Sequence, residues 1–186
     1  MHPAESWDGP TQVALIAAAP TRWYLAHLLL LLGMLALVPG ILLLSNTVAA
    51  RRPSVAYASR VLLFVSVGAL SALFASEMLL GAFAASADRT ATLALLETFM
   101  SRVLVALLPG LIAFFVGTGL FVAPLVSTPG PLRWPALVFA LGALFILAEI
   151  VSALVLLSQI GNVLILVGGI GFARVLWSEE PARVTA

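Results

Sequence analysis

Between Ala136 and Leu176 the chain runs for about 41 residues with little that water would solvate, twice the roughly 20 apolar residues that a helix needs to cross a bilayer core. Such a stretch belongs either at the centre of a large soluble fold or in lipid. The chain has 186 residues, 62% of them hydrophobic and 9% charged, with a mean hydropathy of +1.16. An average soluble domain carries about 25% charged residues. So few charges cannot cover so much apolar surface in water, and lipid remains as the solvent. Each backbone polar group must then be satisfied within its own segment, so the expected fold is all-α, a polytopic integral membrane helix bundle.

Five transmembrane helices are expected, at about 23–44, 61–84, 103–126, 135–157 and 161–177. The domain reading is an N-terminal tail over 1–21, a single transmembrane bundle over 22–177 and a C-terminal tail over 178–186. Trp23 and Tyr24 open the first span with the aromatic pair common at membrane interfaces. A signal peptide fits this segment poorly, because its apolar run is about twice the usual signal core and no basic cluster precedes it. The tail stretch "VALIAAAP" is too short to span and is assigned to the interface. "SADRTATLALLETFMSR", Ser86 to Arg102, reads either as an interfacial helix or as the exposed start of the third span, with Leu93, Leu96, Met100 and Val103 at helical spacing. The long apolar run is divided at "SQIGN", Ser158 to Asn162. The alternative is four spans plus a re-entrant or interfacial C-terminal segment.

Charge chooses between these topologies. All the basic residues are arginine. Five spans place Arg51, Arg52, Arg60, Arg133, Arg174 and Arg183 on one side and Arg22, Arg89 and Arg102 on the other, whereas four spans remove the bias. The positive-inside rule therefore favours five spans, with the N-terminus outside and the C-terminus cytoplasmic. Arginine-only, Ala/Leu-rich usage suggests a bacterial source and hence the bacterial inner membrane.

Several function classes drop out on composition. Without cysteine there is neither a disulfide framework nor a thiolate metal site. A net charge of +1 gives no reason to expect a nucleic-acid partner. G-x-S-x-G, H-E-x-x-H and phosphate-binding glycine loops are missing, and bis-histidine haem lacks a second intramembrane histidine, since His2 lies in the tail. No cofactor is expected. An enzyme would have only His27, Glu77 and Glu149, with Arg102 as electrostatic partner, and shows no motif.

The polar residues inside the spans carry the functional reading. Glu77 follows Arg60 by 17 residues and Glu149 follows Arg133 by 16, so both are expected about 25 Å from the cytoplasmic edge. His27, five residues past Arg22, falls in the same outer half, and Gln159 and Asn162 are expected to join from an outer loop. A charged carboxylate at a helix centre costs about 2.5–3.5 kcal/mol on insertion scales, so such residues face a bundle interior or a wet cavity. Two carboxylates at one depth favour retention of a proton between them, which points to a proton- or cation-linked site. Arg102 is the candidate counter-charge. Imidazole and carboxylate suit zinc or iron, but His27, Glu77 and Glu149 lie on three helices without a local spacing signature, a weak metal candidate. The competing reading is structural, with a protonated Glu donating a hydrogen bond between helices.

Pro39-Gly40 and Pro109-Gly110 are expected helix kinks. They sit in "ALVPGIL" and "ALLPGLI", 70 residues apart, and the next span in each case has a Gly-Ala-Leu before its lone glutamate. This pattern suggests a tandem repeat of a two-helix hairpin, one of the repeat geometries of transporters. Gly142, Phe145, Ala153 and Leu156 are expected on the face of Glu149, and the glycines at 161, 168, 169 and 171 read as helix packing. The functional expectation is a small proton- or cation-linked carrier or transporter in the lipid bilayer, acting as a homo-oligomer or with a membrane-protein partner. The alternative is a non-catalytic subunit or binding module of a larger complex.

Overall fold

A computed structural model of the chain describes residues 9–84, 89–152 and 154–179, and the regular elements among them are six α-helices. They are α1 (Gly9–Ala18), α2 (Pro20–Ala49), α3 (Pro53–Ala84), α4 (Arg89–Ser127), α5 (Arg133–Ser152) and α6 (Val155–Glu179). Five stretches are long and apolar enough to cross a membrane: Pro20–Ala49, Pro53–Ala84, Val105–Ser127, Arg133–Ser152 and Leu156–Ser178. The protein is thus an all-α, multi-pass membrane helix bundle. Only 11% to 33% of the residues in each spanning window are buried, so most of the apolar surface is left for lipid to cover.

The chain divides into two compact units. One comprises Met1–Pro39 and Phe64–Phe114, the other Gly40–Leu63 and Phe115–Ala186. In the first unit Val13 and Ile16 of α1 pack with Trp23 of α2, Leu80 and Ala84 of α3 and Leu96 of α4. The "VALIAAAP" stretch is therefore packed against the helices. It forms most of α1, whose two buried side chains are part of a core. Ala19 separates α1 from α2, and Pro20 opens α2, where its missing N–H costs nothing. The segment from Arg89 to Arg102 is the first part of α4 and continuous with the third span, so of its two readings the helix start holds.

In the second unit Leu44, Val48, Ala56, Leu63, Phe121, Val122, Leu125, Ala136 and Phe172 form the core. Phe172 meets Phe121 edge-on at 6.2 Å and Phe139 at 6.0 Å, spacings that aromatic pairs favour. Here α5 and α6 pack backbone to backbone. A Cβ added to Gly142 would lie 2.7 Å from the Gly161 carbonyl oxygen, and one added to Gly161 would lie 2.7 Å from that of Gly142. Gly168 sits equally close to Phe139 and Pro135, and Gly171 to the Pro135 ring. Gly169, also expected at a packing face, has nothing within 4 Å.

The division of the long apolar run falls earlier than expected. α5 ends at Ser152 and α6 begins at Val155, so "SQIGN" lies inside α6 and Gln159 and Asn162 are exposed helical residues rather than loop residues. Ser152 marks the stop: its hydroxyl donates to the Ala148 carbonyl at 2.7 Å and accepts from the Leu154 N–H at 3.4 Å. The 20 residues of α5 already reach about 30 Å, one bilayer core, so nothing requires the span to extend to 157. Leu156 therefore belongs to the next helix and cannot share a face with Glu149. Glu5, Asp8, Arg183, the segment 180–186 and Ala153 lie outside the described residues, as do the side chains of Arg89, Met100 and Val103.

Both Pro-Gly pairs lie within continuous helices, Pro39-Gly40 in α2 and Pro109-Gly110 in α4. Their surroundings differ. Gly110 is pressed against Ala69, whose Cβ leaves no room for an added one, whereas Gly40 has open space around it.

Candidate functional site

Trp23 and His27 are four residues apart on α2, which puts them on one face, and Glu77 and Gly81 are matched in the same way on α3. The two helices run in opposite directions from the turn at residues 50–52, and the pairs interlock. The Trp23 indole N–H donates to the backbone carbonyl of Glu77 at 2.8 Å. His27 Nε2 lies 2.6 Å from Glu77 Oε2. Gly81 makes room for the indole, because a Cβ there would stand 2.8 Å from Trp23 Cδ1.

His27 is 1% exposed, the Glu77 side chain 25%. The second imidazole nitrogen, Nδ1, is 2.8 Å from the Trp23 carbonyl oxygen. The indole ring lies 4.3 Å from the imidazole, and Phe74 packs on the imidazole at 6.4 Å. His27 is seven residues into α2 and Glu77 seven residues from the end of α3, so both lie about 10 Å inside their helices.

Hydrogen-bond chemistry limits the proton arrangements that suit this geometry. A carbonyl oxygen only accepts, so Nδ1 must carry a proton. A lone pair on Nε2 facing a carboxylate oxygen at 2.6 Å would be repulsive, so a second proton occupies that contact. The site is either imidazolium with carboxylate or neutral imidazole with carboxylic acid. Both states carry no net charge, which suits a group lodged in a span. They differ only in which atom holds the proton, which makes it a property of the pair rather than of either residue.

The remaining candidates are not gathered here. Glu149 lies three residues before the end of α5, about one turn, and is partly exposed, so it sits nearer the helix end than a span reaching 157 implied. It belongs to the second unit, as do Gln159 and Asn162. Arg102 is exposed on α4 and forms no ion pair with a described residue; the side chain that meets Glu77 is His27. No group of three metal-ligating side chains occurs among the described residues, so the structure gathers no ligand set from His27, Glu77 and Glu149. Trp23, read from sequence only as an interfacial aromatic, and Gly81, not singled out, are the two site residues that the sequence reading missed. Their signal was spacing, since each stands four residues from a member of the pair.

Fold and site together define a class, a multi-pass membrane protein with a buried histidine in contact with a glutamate between its first two apolar helices. No known protein family, curated protein or solved structure matches this chain.

Proposed function

We propose that the protein is a small proton-linked carrier of the bacterial cytoplasmic membrane, with the proton shared by His27 and Glu77 as the coupling group. The observation that supports it is the 2.6 Å contact between a buried imidazole and a carboxylate two turns inside the helices. Removing the bridging proton leaves two electron pairs facing each other. Glu77 must then turn away or find a cation, and α2 and α3 must repack around Trp23. Proton occupancy is thereby tied to two helix arrangements, the minimum that a coupled carrier requires. The excess of arginines on one side supports an N-terminus outside and a C-terminus in the cytoplasm, which puts the pair in the outer half of the membrane. Five spans enclose little space, so the carrier acts as a homo-oligomer.

The test is proton flux in liposomes loaded with a pH-sensitive dye, energised inside-negative and supplied with a mixed pool of small metabolites. The wild type should acidify the interior several-fold faster than empty liposomes, and Glu77→Gln should return the rate to the empty value while remaining folded. Equal fluxes for wild type, variant and empty liposomes would reject the carrier. The second reading, a subunit whose pair only clasps α2 to α3, draws on the same Trp23 and Gly81 packing. It predicts no flux and co-purification with a partner that Glu77→Ala releases.

A further inference from the structure

Among the described residues, the turn between α2 and α3 holds a cation without a counter-charge. Arg60 is partly buried on α3, seven residues after Pro53 and so about 10 Å from the helix start. Its Nε–H donates to Ser45 Oγ at 2.9 Å and its Nη2 to Asn46 Oδ1 at 2.8 Å, both in the last turns of α2. Ser45 is fully buried and donates its own proton to the Leu42 carbonyl at 3.0 Å, so its oxygen is committed as the acceptor. Two neutral acceptors orient the guanidinium but leave its charge, and three of its five N–H groups, uncompensated.

The neighbouring sequence supplies no anion, because no Asp or Glu occurs between Asp8 and Glu77. Arg51 and Arg52 are exposed in the turn and add two more cations. Tyr57, 70% exposed one turn before Arg60, marks the headgroup level. A planar fork of donors at that depth, backed by two cations, matches a phosphate oxyanion.

We propose that the α2–α3 turn is a binding site for the headgroup of an anionic phospholipid, with the phosphate held by Arg60 and the residual negative charge met by Arg51 and Arg52. A zwitterionic headgroup carries the same phosphate, but its quaternary ammonium is repelled by the two turn arginines. The site does not depend on the carrier reading, since lipid can grip this turn whether or not His27 and Glu77 move protons.

Thermal unfolding of the full chain in mild detergent tests this with phosphatidylglycerol, phosphatidylcholine or inorganic phosphate added at equal phosphate concentration. Phosphatidylglycerol should raise the midpoint in a saturable manner and the other two should not. Arg51→Gln and Arg52→Gln, both exposed and so neutral for folding, should each weaken the apparent affinity by about fivefold, the worth of one arginine near a charged surface. Arg60→Gln should abolish the saturable shift, and Arg102→Gln, exposed on another helix, should leave it intact. Equal shifts with phosphatidylcholine, or with phosphate alone, overturn the lipid site. So does an Arg102→Gln effect as large as that of Arg51→Gln, which would indicate bulk charge rather than a site.

Discussion

Two substitutions at residue 77 separate shape from proton. Glu77→Gln should keep the contact, because an amide can donate to Nε2 while Nδ1 remains bonded to the Trp23 carbonyl. Its thermal midpoint should match the wild type while proton flux is lost. Glu77→Ala removes the carboxylate that meets a buried imidazole and should cost about 1–3 kcal/mol in unfolding measurements. If the two variants lose stability equally, the bridging hydrogen bond is not what holds Glu77. Trp23→Phe removes one hydrogen bond to the α3 backbone and should destabilise by about 0.5–1.5 kcal/mol without abolishing flux. The pair was within reach of the sequence. His27 precedes Arg52 by 25 residues and Glu77 follows it by 25, so a hairpin turning at Arg52 sets them at one depth. The depth of both groups was legible that way. Their direct contact was not, because the facing of each helix is set by the Gly81–Trp23 packing, which appears only when the chain is folded.

At the scale of elements, α5 and α6 are joined through glycines whose neighbours are backbone atoms, which cannot rotate away. Gly142→Ala or Gly161→Ala should therefore destabilise the hairpin by about 1–3 kcal/mol, as overpacking does. Gly169→Ala, one residue from the contact line, should be neutral or slightly stabilising because alanine is the better helix former. Equal effects at all three positions in denaturation of the purified protein would remove the glycine interface as an explanation. Hydropathy revealed five apolar helices but misplaced the last turn. Polar residues such as Ser158, Gln159 and Asn162 suggest a loop, yet a helix tolerates them, and the stop comes from the Ser152 hydroxyl bridging Ala148 and Leu154. That shift of about one and a half turns moved Glu149 toward a helix end and left Glu77 as the carboxylate lodged deeper in its span.

For the whole molecule, five crossings would place the two termini on opposite faces of the membrane. Reporter fusions should show it: a C-terminal fluorescent protein should glow and a C-terminal phosphatase stay inactive, with the reverse at the N-terminus. Termini reporting from one face would leave only four of the five apolar helices as spans. The tilted packing of Trp23 against His27, with ring centroids 4.3 Å apart, has an optical consequence. A protonated imidazole quenches indole emission and a neutral one does so far less. Once Trp7, Trp134 and Trp177 are changed to phenylalanine, the remaining light comes from the ring packed against His27. Its brightness then reports on which side of the 2.6 Å contact the proton resides, and the protein carries its own indicator dye.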